Sequence, residues 1–177
     1  MHVRPLAPGD RDALEAALRS DSAFRADEVE VALELIDDAL ADSASDYWVL
    51  VAQVEGHVED QAPVEGHGEL ETFATPRGGI AGYICYGPTP MTEASYDLYW
   101  LVTAARFRGR GVARSLVEAM ERDLRGRGGG GVRVETSDTE GYGAARRLYD
   151  RLGYPVAGTL PDFYRSGDDL VIYYKRL

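Results

Sequence analysis

One stretch, residues 97–125, limits the fold more than any other. Asp97-Leu-Tyr-Trp-Leu-Val-Thr103 is a run of aromatic and branched residues with the composition of a β-strand. Further on, Val112, Leu116, Ala119, Met120 and Leu124 recur at the spacing of one helical face. Between them the chain turns through Arg106-Phe-Arg-Gly-Arg-Gly111. A glycine-punctuated turn opening straight into a helix makes an anion site. Gly109 and Gly111 let the main chain approach a ligand, and the first-turn amides have no helical partners. The positive end of the helix dipole adds to them, so a phosphate is the expected guest. Arg106, Arg108, Arg110 and Arg114 surround the turn with guanidinium groups suited to phosphate oxygens.

The details choose among phosphate binders. No G-x-x-x-x-G-K-[ST] run exists, and a dinucleotide G-x-G-x-x-G starting at Gly109 fails because Arg114 replaces the third glycine. The pattern that fits is [QR]-x-x-G-x-[GA], as Arg108-Gly-Arg-Gly111-Val-Ala113. It resembles the acetyl-CoA pyrophosphate loop of the GNAT family of N-acetyltransferases. A softened strand-to-helix connection that binds nothing is the competing reading of this motif alone.

At 177 residues the chain suits one domain with a sizeable core. No run approaches the length of a membrane span, and the first ten residues lack an apolar signal core. Cys85 is the single cysteine, which excludes an internal disulfide and a cysteine zinc cage. It sits in an apolar strand-like run and reads as buried and inert. The expected compartment is the cytoplasm, with no membrane partner. Net charge is −11, spread unevenly. Residues 1–75 carry four arginines against eighteen carboxylates, whereas residues 76–177 carry fifteen basic and twelve acidic side chains. Overall acidity argues against nucleic acid as partner. The acidic half suits a cationic acceptor, or is solvated surface. Lys175 is the only lysine, a bias that reads as coding preference.

Along the chain, residues 2–6 read as a strand, with Asp10 expected to cap a helix running to about Arg19. A helix over 27–41 and a strand over 46–54 follow. Residues 55–79 turn to Gly, Pro, Glu, His and Thr, an acidic insertion in which 69–74 could add a ribbon. His57 and His67 fall there without the further ligands that a metal site needs, so no metal is expected. Strands over 80–86, 97–103 and 132–136, a helix over 141–152, and strands over 154–160 and 170–177 complete the order βααβββαβαββ. The expectation is one mixed α/β domain over residues 1–177, with helices packed on a central sheet.

A second motif joins the first. Ala145-Arg-Arg-Leu-Tyr149-Asp-Arg-Leu-Gly153-Tyr154 is similar to the A-x-x-L-Y-x-x-x-G-[FY] segment of the same acetyltransferases, at the family's distance from the phosphate loop. The resemblance spans about residues 78–177, while residues 1–77 agree only in element order. It implies a mixed, mostly antiparallel sheet splayed between two parallel strands, with acetyl-CoA as co-substrate wedged between them. Residues 78–177 would be the acetyl-CoA-binding core and residues 1–77 the acceptor side. The strand 97–103 would carry a bulge near Leu101, Val102 and Thr103, exposing amides to the thioester carbonyl as an oxyanion hole. Main-chain amides of Arg108, Gly109, Arg110, Gly111, Val112, Ala113 and Arg114 would hold the pyrophosphate. Tyr149 matches the family's frequent general acid toward the departing thiolate. In many relatives an asparagine that contacts the CoA arm stands where this chain has Tyr142, so that contact would be lost or supplied by Tyr142 or Ser137.

Attack by an amine also needs a base. Asp97 and Glu135, one on each central strand, are the candidates, with Glu93 and Asp162 behind them. Arg133, two positions before Glu135, would be its ion-pair partner if Glu135 is structural. The expected function is transfer of an acetyl group from acetyl-CoA to a primary amine, small-molecule or protein-borne, by direct attack in a ternary complex. The loop 162–169 and the acidic insertion are where acceptor contacts are expected. A non-catalytic acyl-CoA-binding sensor is the alternative, and exposed strand edges leave room for a homodimer.

Overall fold

The structure, a computed structural model, describes residues 1–20, 24–42, 44–55 and 79–177. The described chain runs β1 (His2–Pro5), α1 (Arg11–Arg19), α2 (Ala26–Ala41), β2 (Trp48–Val54), β3 (Gly79–Pro88), β4 (Ser95–Thr103), α3 (Val112–Gly126), β5 (Gly131–Ser137), α4 (Gly143–Arg151), β6 (Val156–Arg165) and β7 (Asp168–Arg176). The order of helices and strands is the one the sequence implies. Seven strands form one open sheet in the order β1-β2-β3-β4-β5-β7-β6. Every neighbouring pair is antiparallel except β4 and β5, which are parallel.

The alternation of side chains along β2 and β3 sorts the core onto two faces. Val49, Val51, Tyr83 and Cys85 join Leu14 and Leu18 of α1 and Val29, Leu33 and Ile36 of α2. Ala52, Ile84 and Tyr86 join Leu116, Met120 and Leu124 of α3 on the other side. Helices therefore cover both faces, and the apolar stripe read from residues 112–124 is the buried face of α3. Cys85 is fully buried, and burial pushes its thiol up to about 12, so it is inert as a nucleophile at neutral pH.

Several local expectations change. Asp10 does not cap α1; its carboxylate accepts two bonds from Arg4, both at 2.7 Å, and the Ala7 amide at 2.8 Å. A charged guanidinium in reach outcompetes the helix amides for the same oxygens. The last helix starts at Gly143, because Glu140–Tyr142 forms a separate 3-10 turn. Residues 161–165, expected as loop, belong to β6, which pairs irregularly with β7 between Leu160 and Arg165. Asp162 takes a left-handed φ of 53° there, accepting the Gly167 amide and donating its own N–H to Asp169. The proposed ribbon at 69–74 and almost all of the acidic insertion lie outside the described residues.

One charge cluster around the buried Glu121 ties α3 to the end of the chain. The Lys175 ammonium donates to Glu121 and to the Leu152 carbonyl, each at 2.8 Å, and lies 5.0 Å from the centre of the Tyr154 ring. Arg125 adds a bond to Glu121 at 3.1 Å.

Candidate active site

The parallel pair is short. β4 and β5 stay in register from Ser95 and Gly131 to Leu98 and Val134, and no further. Beyond that rung β4 pairs only with β3, from Trp100 opposite Cys85 to Thr103 opposite Gly82. β5 pairs only with β7, through Glu135, Thr136 and Ser137. The two strands part company at the sheet's centre, leaving one main-chain edge of each without a strand partner. The β4 irregularity falls at Tyr99, which has no register partner while Leu98 and Trp100 oppose Tyr86 and Cys85. The bulge thus precedes the Leu101–Val102–Thr103 segment instead of lying within it. An extra residue bends and twists a strand, which suits the point where β4 leaves β5.

A cleft of about 260 Å³ opens at this fork, lined by Asp97, Leu98, Tyr99, Arg133, Glu135 and Tyr164. Asp97 and Arg133 face each other in register, one rung before the split. Arg133 Nε donates to Asp97 Oδ1 at 2.7 Å and Nη2 to Oδ2 at 3.0 Å, a two-pronged pair. That bond holds the guanidinium above its ordinary pKa. Glu135, two residues along β5 and so on the same face, has a carboxylate oxygen 3.4 Å from Arg133 Nη1. The carboxylates differ in exposure: the side chain of Asp97 is 9% accessible and that of Glu135 42%. Tyr99 donates to the Pro88 carbonyl at 3.3 Å, and its phenol is pushed up to about 12, first by burial and then by the charge of Asp97. Tyr164 comes from the irregular part of β6; burial first, then Glu135, Asp168, Tyr142 and Glu28, raise its pKa.

The glycine turn has the geometry expected of it. Gly109 and Gly111 have φ of +74° and +79°, and Gly111 is the N-cap of α3. A β-carbon at either position would meet no protein atom within 4 Å beyond its chain neighbours, so their outward faces are open for a ligand to approach. The first bond of the α3 ladder runs from Ser115 N–H to Gly111 at 3.0 Å, which leaves the amides just before it outside that ladder; the Arg108 amide, expected to face the pyrophosphate, instead donates to the Ala105 carbonyl at 3.2 Å. Phe107, 2% exposed, anchors the turn in the core, with the guanidinium of Arg106 4.9 Å and that of Arg110 6.0 Å from its ring centre. Arg114 instead pairs with Glu118 at 2.8 Å.

The structure therefore brings Asp97 and Glu135 together, and Tyr149 is not among the residues lining their cleft. Tyr149 is 4% exposed, its ring 5.4 Å from Tyr173 and 5.9 Å from Tyr154, and burial holds its hydroxyl protonated. Tyr142 ends the turn that leads into α4. Glu93 is exposed in the β3–β4 turn, and Asp162 is occupied by the β6 turn. Tyr99 escaped the sequence reading because a one-residue bulge leaves no compositional mark. Among the described residues no group of three or more His, Cys, Asp or Glu is placed to hold a metal ion, and no helix is long and apolar enough to cross a membrane.

A mixed seven-stranded sheet forked between two parallel strands, with a glycine turn at the head of α3, defines a class that comparison identifies. The model of the acetyltransferase (GNAT) family matches residues 15–154, and the chain belongs to that family. A structure from Desulfovibrio desulfuricans assigned to the same family is 32% identical, with TM-score 0.80, covering 99% of this chain and 98% of that one. An aminoglycoside 6'-N-acetyltransferase complexed with coenzyme A shares the fold at 17% identity and TM-score 0.68, covering 99% and 97%. A ribosomal-protein-alanine N-acetyltransferase from Brucella melitensis does so at 21% identity and TM-score 0.68, over all of both chains. Among curated protein sequences no significant match is found.

Proposed function

We propose that this chain is an N-acetyltransferase acting as a single unit over residues 1–177, which moves the acetyl group of acetyl-CoA to a primary amine by direct attack in a ternary complex. The observation that carries the reading is the fork at Leu98 and Val134, which opens a cleft holding two carboxylates. The glycine turn fits a pyrophosphate: it offers unladdered amides, two open glycine faces and the guanidinium groups of Arg106 and Arg110. Arg108, Val112, Ala113 and Arg114 complete that turn, and Tyr142 borders the CoA arm. Acetyl-CoA supplies the activated acyl carbon; the chain's residues do the rest.

The unpaired edge of β4 at Leu101, Val102 and Thr103 carries main-chain groups toward the fork, where fixed donors stabilise charge developing on the thioester oxygen. A carboxylate of the cleft, Asp97 or Glu135, relieves the incoming ammonium of a proton. Tyr149, by its place in the A-x-x-L-Y segment, is the donor to the departing sulfur. Two carboxylates against one guanidinium give the cleft a net negative charge, which favours a cationic amine. The neighbours named for an aminoglycoside and for a ribosomal-protein alanine bracket the acceptor classes, small molecule and protein.

Calorimetry with acetyl-CoA followed by thiol release against an amine panel tests the reading. Saturable binding and amine-dependent release are expected. Absence of binding would refute the glycine-turn assignment, and binding without release to any amine would count against catalysis.

A further inference from the structure

We infer that Arg133 divides the labour of the two carboxylates at the fork: it retains Asp97 as its structural counter-ion and positions Glu135 as the group that takes the proton from the acceptor ammonium. The inference rests on the proposed amine acetylation and goes beyond it by choosing the base and naming the residue that aims it.

The geometry gives the two acids unlike environments. Both oxygens of Asp97 accept from one guanidinium, at 2.7 and 3.0 Å, and the side chain is almost closed to solvent. Protonating it would break a two-pronged pair and strand the cation in a half-closed cleft, so it is a poor proton acceptor. Glu135 touches the same guanidinium through a single 3.4 Å approach and is nearly half open to the cleft. Its carboxylate remains able to receive a proton from a ligand.

Topology explains why one arginine can do both. Arg133 stands opposite Asp97 on the parallel ladder, and Glu135 follows two residues later, past the last shared rung. Arg133 therefore sits in the crotch of the fork, with the buried acid behind it and the open acid ahead. The groups around Glu135 are Arg133 on its own strand, Asp97 and Tyr99 across the fork on β4, and Tyr164 from β6. Tyr164 in turn lies within the electrostatic reach of Glu28 on α2, Tyr142 before α4 and Asp168 on β7. Asp168 is itself held by Ser137 at 2.5 Å and by Arg165 at 3.2 Å. Among the described residues Arg133 is the one cation lining the cleft, and its contact with Glu135 fixes where that carboxylate stands as an ammonium arrives.

The step balances. The acceptor enters as R–NH3+, and Glu135 takes one proton, passing it to water after turnover. The C–N bond forms as the C–S bond breaks; the departing thiolate takes the Tyr149 hydroxyl proton, and the second nitrogen proton restores that hydroxyl. Arg133 exchanges no proton and is a positioning residue.

The test uses the full chain, acetyl-CoA and an amine found active with it, with kcat/KM measured against pH. Glu135→Gln is expected to lower kcat roughly 100-fold with unchanged acetyl-CoA affinity and melting temperature. Removing the cation beside a carboxylate favours its neutral form. Arg133→Gln should therefore move the acid limb of the profile up by about one pH unit. Arg133→Lys, which restores the charge without the fork, should move it part of the way back. Should Arg133→Gln fold poorly, Arg133→Lys and Glu135→Gln still decide the matter. A folded Glu135→Gln variant with wild-type turnover, or an Arg133 variant whose profile overlays the wild type, would overturn the assignment. Loss of turnover in a folded Asp97→Asn protein whose Glu135→Gln counterpart is active would do the same. An inactive wild type would instead refute the underlying acetylation and this assignment with it.

Discussion

Gly111 allows two consequences of one substitution to be separated. Its φ of +79° and ψ of 8° lie in the left-handed region, where a β-carbon costs about 1–2 kcal/mol. The space around that carbon is empty of protein atoms, so backbone strain is the whole cost to the unliganded fold. In a chain of this size it corresponds to a fall in melting temperature of about 2–8 °C for Gly111→Ala. Gly111→Asn should fall less, since asparagine tolerates this conformation better. Ligand binding is a different matter, because on the proposed reading the same empty space is where the phosphate comes close. Gly111→Val should weaken acetyl-CoA binding by at least about tenfold, equivalent to roughly 1.4 kcal/mol, beyond any change seen with Gly111→Asn. Differential scanning fluorimetry without ligand reads the first effect and calorimetry the second. A Gly111→Val protein that melts lower yet binds acetyl-CoA like the wild type would show that the turn does not hold the pyrophosphate. One that melts unchanged would refute the strain argument.

Two further substitutions probe other parts of the molecule. Tyr149→Phe keeps the ring in its tilted contacts with Tyr154 and Tyr173, so it should cut kcat by about 100-fold while the KM for acetyl-CoA holds; an unaltered kcat in steady-state assays would remove the hydroxyl from the mechanism. The Arg4 bond holds the Asp10 pKa below its ordinary value, so the pair stabilises the fold fully above the unfolded carboxylate value near 3.9 and loses that contribution as pH falls through the lower native one. Denaturant midpoints of Asp10→Asn and wild type should differ at pH 7 and converge in acid; a gap that persists at pH 2 would contradict the linkage.

Much of this architecture is legible from residue patterns, because apolar periodicity and glycine placement act locally. The stripe from Val112 to Leu124 predicts a buried helix face, and the two glycines before it predict a left-handed turn, since both depend on neighbours in the chain. What stayed hidden depends on partners far away in sequence. The identity of the partner of Arg133 is set by strand register, which places Asp97 opposite it and leaves Glu135, its sequence neighbour, with the looser contact. Asp10 has the sequence position of a cap, but Arg4 reaches it from the first strand. Residues 161–165 carry a proline and an aspartate, and they enter β6 as an irregular stretch bracketed by Leu160 opposite Leu170 and Arg165 opposite Asp168, from which Tyr164 reaches the cleft.

An enzyme that acylates amines works beside a reactive thioester that any nearby unprotonated lysine can attack. This chain has a single lysine, and its ammonium is clamped between the Glu121 carboxylate, the Leu152 carbonyl and the face of Tyr154. Freeing that nitrogen to act as a nucleophile would require breaking both of its bonds and opening the seam between α3 and β7. With arginine supplying all other positive side-chain charge, the proposed chemistry would meet no readily acetylated side-chain amine on the protein itself, and the surface charge would be insulated from the thioester.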